Sequence, residues 1–178
     1  MTTILRQFPF SNQVSTMQVG HETLRVRDHQ IIVWVSITVW QSVEWDPQTP
    51  RFPAILDTGH THNFSIQEQH LVRWAGMRPS LLQVLGQLRE QDRRVPLYGA
   101  NVWLHSNRPG ERDSFNDEPP FRLELPRGVA IYPDTSANFP RLPLLGLRAI
   151  AENGLRLIID GRNRRVSLRT TRSWWPFA

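Results

Sequence analysis

The strongest constraint on the fold is a β-rich stretch early in the chain. Residues 31–43 are largely β-branched or aromatic. Four aliphatic residues recur there at a spacing of two: Val33, Val35, Ile37 and Val39. Alternation of this kind is typical of a half-buried strand, because successive side chains point to opposite faces of a sheet. A second apolar run at residues 52–56 predicts a short buried strand.

Most of the remaining chain also favours short strands separated by glycine and proline. Strand-like segments are found at residues 95–104, 121–125, 129–132, 155–159 and 165–168. Residues 160–163, Asp-Gly-Arg-Asn, predict the turn of a hairpin between the last two segments. Residues 107–120 predict a surface loop. Together these features predict a mainly β barrel or sandwich.

One or two short helices are expected. Ser65 and Glu68 have the spacing of a capping box, which predicts a helix that begins after Ser65 and ends near Gly76. A second short helix is predicted at residues 147–153, before Gly154. Residues 81–88 fit either a helical face or a strand.

The chain has 178 residues, which fits one domain with a modest extension. We interpret residues 1–28 as a partly ordered lead-in, residues 29–170 as the domain, and residues 171–178 as an apolar tail. The tail contains Trp174, Trp175 and Phe177, which could pack in the core or form a dimer contact.

Composition excludes several classes of function. There is no cysteine, which excludes disulfides and thiolate zinc sites. All 21 basic residues are arginine and the net charge is +5, which fits either an anionic partner or a solvated basic surface. No nucleic-acid-binding motif accompanies them, so binding to nucleic acid is not expected. No apolar run approaches the roughly 20 residues that cross a bilayer. A soluble, cytoplasmic protein without membrane contact is expected.

Histidines offer one further kind of site. His60, His62 and His70 could be metal ligands, but only Glu68 lies nearby as a carboxylate, and surface histidines are the preferred interpretation. No metal or other cofactor is expected. A Gly-x-Ser-x-Gly elbow is also absent from the sequence, which disfavours a serine nucleophile.

Asp57 is the main candidate for chemistry. It directly follows the apolar run at residues 52–56 and precedes Thr58 and Gly59. A carboxylate at the end of a buried strand is costly unless it is paired. A glycine two residues later lets the backbone turn sharply or come close to another chain.

A second signature comes later, where Leu142-Pro143-Leu144-Leu145-Gly146 precedes a predicted short helix and a final hairpin. With Asp57-Thr58-Gly59 after its apolar strand, this order resembles the retropepsin family, the retroviral and retroviral-like aspartic proteases. The resemblance covers about residues 31–168. It implies a closed acid-protease barrel with one lobe per chain.

The resemblance also implies an activity. Two chains would form a homodimer whose Asp57 dyad activates a water to hydrolyse peptide bonds of a polypeptide substrate. Pepsin-like enzymes carry two such motifs in one chain, whereas Asp134-Thr135-Ser136 lacks the glycine here and is interpreted as a turn.

Supporting roles follow from the same resemblance. Thr58 would join the catalytic loops across the dimer axis, and Gly59 and the backbone near His60 would line the substrate. Leu145 and Gly146 form the second signature. A flap hairpin is implied at about residues 85–104, with its tip near Gln91, Asp92 and Arg93, although a helix followed by a strand remains the alternative.

Three departures from the family pattern leave a second hypothesis open. His60 stands where the family has a small residue, and a cationic histidine there would favour an ionised aspartate or obstruct the substrate. The flap tip has no glycine, and Leu147 rather than arginine follows Gly146. The alternative function is a retropepsin-fold binding or scaffolding module with weak or no proteolysis.

Overall fold

A computed structural model describes residues 1–90, 93–133 and 142–171. Within these ranges the protein is mainly β, with thirteen strands and two helices. The strands are β1 Thr3–Pro9, β2 Ser15–Val19, β3 Glu22–Val26, β4 Ile32–Val39, β5 Phe52–Asp57, β6 Phe64–Gln67, β7 Gln83–Glu90, β8 Arg93–Leu104, β9 Phe121–Leu123, β10 Val129–Tyr132, β11 Leu144–Gly146, β12 Leu155–Asp160 and β13 Arg165–Thr170. The helices are α1 Glu68–Ala75 and α2 Leu147–Glu152, and a 3₁₀ turn spans Pro79–Leu81.

The largest sheet has the strand order β10-β6-β11-β5-β4-β8-β7, with β9 paired to β8. Strand β10 is parallel to β6 and antiparallel to β8, so the path of paired strands returns to β8. Apolar side chains from these strands fill the core, among them Phe52, Phe64 and Leu145, none of which is exposed to solvent. This sheet carries the candidate site.

Strand β4 is confirmed, but it is more deeply buried than its alternation predicts. It pairs with β5 on one side and β8 on the other. Ser36, on the face opposite the alternating aliphatic residues, is fully buried. Its hydroxyl donates to the carbonyl of Pro50 at 2.9 Å and lies 2.8 Å from Nε2 of His105. These hydrogen bonds satisfy a polar group that would otherwise be costly to bury.

The first 28 residues are not a partly ordered lead-in. Strand β1 pairs with β13, which also pairs with β12, and β2 and β3 form a hairpin. Leu5 and Phe8 of β1 lie opposite Leu168 and Val166 of β13, and all four are buried. Burial of these side chains holds the N-terminal segment in the same folded unit. Residues 172–178, nearly the whole predicted tail, lie outside the described residues.

Both predicted helices are confirmed, but the predicted cap of the first is wrong. Helix α1 ends at Gly76, whose positive φ of 64° suits a glycine. Ser65 does not cap it, because Ser65 lies in β6, and the N-cap position is Gln67, which makes no side-chain cap hydrogen bond. The segment that fitted either a helix or a strand is the strand β7. No helix among the described residues is long and apolar enough to cross a membrane.

Candidate active site

Asp57 is the last residue of β5, in the middle of the large sheet. Strand β5 lies between β4 and β11, and β11 runs parallel to it. In this register Leu145 lies opposite Leu56, and Gly146 lies opposite Asp57. The structure therefore brings together the two signatures that are 89 residues apart in the sequence.

The loop at residues 58–63 crosses the end of β11. This crossing loop connects β5 to β6, and β11 is hydrogen-bonded between those two strands. The backbone N–H of Gly146 donates to the carbonyl of Asn63 at 3.0 Å. A Cβ atom on Gly146 would lie 1.9 Å from the carbonyl oxygen of His62 and 2.9 Å from that of His60. Gly146 is thus required by the close approach of two backbones.

The turn after β5 holds the Asp57 carboxylate at the surface of the sheet. Its Oδ1 accepts a hydrogen bond from the backbone N–H of Gly59 at 2.9 Å. Its carbonyl accepts one from the N–H of His60 at 3.2 Å. Asp57 is half-buried, whereas Thr58 and Gly59 are exposed. The carboxylate is therefore oriented by its own loop and remains accessible.

The imidazole of His60 is bonded to the neighbouring strand. Its Nε2 lies 2.6 Å from the hydroxyl of Ser65, a buried residue of β6. Its ring packs edge-on against that of His62, with 5.2 Å between centroids. Burial, and then the charge of His62, lowers the pKa of His60 to about 4, although Asp57 and Glu90 act in the opposite direction. A lowered pKa disfavours a cationic His60 beside Asp57 near neutral pH.

We expect His60 to stay neutral until the pH falls to about 4, which NMR titration of its imidazole resonances will show. The unfolded chain protonates this histidine near its ordinary pKa of 6.5. Between those values the unfolded state binds more protons, so His60 destabilises the fold as pH falls from 6.5 to about 4. A midpoint near 6.5 would contradict burial as the dominant influence.

The predicted hairpin is present. Strands β7 and β8 are antiparallel, and Glu90, the last residue of β7, lies opposite Arg93. Arg93 is the first residue of β8, whereas the predicted tip residues Gln91 and Asp92 lie outside the described part of the chain, as does Asp134-Thr135-Ser136. The alternative of a helix before the strand is wrong.

The end of β7 touches the crossing loop. Oε1 of Glu90 is hydrogen-bonded to Nε2 of His62 and accepts a hydrogen bond from the hydroxyl of Tyr132 at 2.8 Å. Sequence reasoning missed Glu90, Tyr132 and Ser65. They lie on three different strands, and no short-range pattern connects them.

The three histidines weighed as metal ligands do not converge. His60 and His62 bond to Ser65 and Glu90, whereas His70 lies in α1 and stacks on Trp74 with 4.1 Å between ring centroids. Across residues 1–90, 93–133 and 142–171, no group of three or more histidine or carboxylate side chains could hold a metal ion.

Comparisons of the chain with protein-family models, with curated proteins and with solved structures found no match.

Proposed function

We propose that the protein is a retropepsin-like aspartic endopeptidase whose active site forms when two copies pair. The observation that carries the proposal is the position of Asp57, next to Gly146 of the parallel strand β11, whose end is crossed by the loop that follows Asp57. This arrangement unites the two signatures on which the resemblance depends. The returning path of paired strands supports a closed barrel, and the β7–β8 hairpin supports a flap.

The proposed dimer supplies the second carboxylate. Asp57 lies at a surface turn whose next two residues, Thr58 and Gly59, are exposed. A two-fold axis near this turn would bring the same surface of both copies together and put the two Asp57 side chains side by side. The exposed turn therefore leaves room for a partner at the place where the chemistry needs one.

Two carboxylates that lie side by side cannot both ionise easily. At about 4 Å and an effective dielectric constant near 20, two negative charges repel by about 4 kcal/mol. That energy corresponds to about three pKa units, so the pair would keep one proton over a wide pH range. Aspartic protease dyads are the established example of this behaviour.

The shared proton gives the two residues different roles. The ionised Asp57 would act as a general base on a bound water, which attacks the carbonyl carbon of the scissile peptide. The protonated Asp57 of the other copy would polarise the carbonyl oxygen. A proton then passes to the leaving nitrogen, so that the peptide bond breaks and the dyad returns to its starting state. The Gly59 N–H keeps each carboxylate oriented throughout.

Mass in solution and a peptide-library digest test the proposal together. We expect a particle with twice the mass of one chain, and endopeptidase cleavage in acidic buffer that a pepstatin-type inhibitor blocks. A monomer at all concentrations that cleaves no peptide would contradict the proposal. A dimer without cleavage would instead support the binding or scaffolding module.

A further inference from the structure

Glu90 is the centre of a polar network that joins the hairpin to the crossing loop. Its carboxylate is bonded to His62 of that loop and to Tyr132 of β10. The Tyr132 hydroxyl is also hydrogen-bonded to Ser65 of β6, and Ser65 is bonded to His60. The rings of His60 and His62 contact each other, which closes the network on itself.

One assignment of protons satisfies each of these hydrogen bonds. Neutral His60 donates from Nε2 to the Ser65 hydroxyl, which donates to the oxygen of Tyr132. Tyr132 then donates to Glu90, and His62 donates to the same carboxylate. All of these hydrogen bonds are donated in the direction of the one anion, Glu90. The bonds therefore polarise and strengthen one another. Replacement of that anion therefore weakens the entire network.

We propose that Glu90 is a positioning residue, which holds the β7–β8 hairpin against the loop that carries Asp57. The network lies between the end of β7 and the residues that follow Asp57-Thr58-Gly59. The charges of both Asp57 and Glu90 act on His60. This inference rests on the proposed function, in which the hairpin is the flap that closes over a peptide. Closing the flap then depends on a carboxylate near its tip.

The network is sensitive to pH through Glu90. Burial raises the pKa of this carboxyl group, but the hydrogen bonds from His62 and Tyr132 outweigh burial and hold the pKa below its ordinary value of 4.5. The contact is therefore complete above pH 4.5 and is lost as pH falls through the lowered pKa. His60, a further titratable group in the network, also favours the ionised carboxylate.

Hydrogen exchange measured by mass spectrometry tests this inference without relying on proteolysis. In Glu90→Gln we expect amides of the β7–β8 hairpin to exchange about threefold to tenfold faster. This is the loss of protection expected when a partly exposed, charge-assisted hydrogen bond is weakened by about threefold to tenfold. Protection of the hairpin in the wild type should also decrease below about pH 4.5, relative to the β12–β13 hairpin, and this decrease should be absent from Glu90→Gln.

Two further variants make the test decisive. Tyr132→Phe removes one hydroxyl and keeps the ring, so we expect a smaller increase in hairpin exchange. Glu44→Gln removes an equal charge from an exposed position and should leave the hairpin unchanged. Wild-type exchange in both Glu90→Gln and Tyr132→Phe would overturn the inference but leave the proposed protease intact. Absence of peptide cleavage would refute the protease and leave the exchange result standing.

Discussion

Asp57→Asn should reduce peptide hydrolysis by a factor of about 10² to 10⁴, while the protein keeps its fold and its dimeric mass. The asparagine oxygen can still accept the hydrogen bond from Gly59, so the turn is preserved. The amide cannot take a proton from water, and loss of a general base typically costs a factor of about 10² to 10⁴. Initial rates on a peptide identified in the library digest measure the effect.

Asp46→Asn is a matched control for this substitution. Asp46 is exposed. Its Oδ1 also accepts a hydrogen bond from a backbone N–H two positions later, that of Gln48, at 2.8 Å. The control therefore changes the same side chain in the same kind of turn, away from β5. Equal losses of activity in both variants would point to a general effect of charge and would remove the special role of Asp57.

Mixing the two forms tests whether the site is shared between copies. When wild-type and Asp57→Asn chains exchange freely at equal amounts, only about one quarter of the dimers contain two aspartates. Compared with the same total amount of wild-type protein, we therefore expect about one quarter of the activity if the dyad is shared. Activity of about one half would show that each chain works alone, and it would refute the dyad without questioning Asp57 itself.

Gly146→Ala should lower the free energy of unfolding by about 3 kcal/mol or more, the largest loss expected from adding one methyl group at the site. The added Cβ would lie 1.9 Å from the carbonyl oxygen of His62, and backbone cannot move aside as a flexible side chain can. The crossing loop would have to lift away from β11, breaking the Gly146–Asn63 hydrogen bond. Urea unfolding measures the loss, and activity should decrease with it because the same loop orients Asp57.

Gly161→Ala is the control for the methyl group. Apart from the adjoining residues of the chain, no atom lies within 4 Å of a Cβ built at Gly161, so the free energy of unfolding should change by less than about 0.5 kcal/mol. If Gly146→Ala is as stable as the wild type, the backbone of the crossing loop does not lie against Gly146 of β11.

Segments whose structure depends on local pattern were predictable from the sequence. Strand β5 follows from an apolar run, the end of α1 from Gly76, and the β12–β13 hairpin from its turn residues. The N-terminal strand β1 was missed because its alternation is broken. Gln7 has a positive φ of 48°, and the register with β13 shifts twice along β1. Such irregularity hides the buried face of a strand from a period-two analysis.

The failed capping box has a related cause. Ser65 and Glu68 have the right spacing, but Ser65 pairs with Ala130 of β10 and Leu144 of β11 and so belongs to the sheet. Tertiary pairing overrides a local preference worth about 1 kcal/mol. The helix therefore begins two residues later than predicted, at Glu68, without a side-chain cap.

By itself, the sequence determined that an aspartate ends a buried strand, that a glycine follows two residues later, and that a second apolar pair with glycine comes near the end. Only the tertiary structure decided that Gly146 lies beside Asp57, and that Glu90 meets His62 and Tyr132. The reason is physical. Side-chain period and turn chemistry act over a few residues, whereas these contacts join residues 28 to 89 positions apart and exist only once the strands have paired.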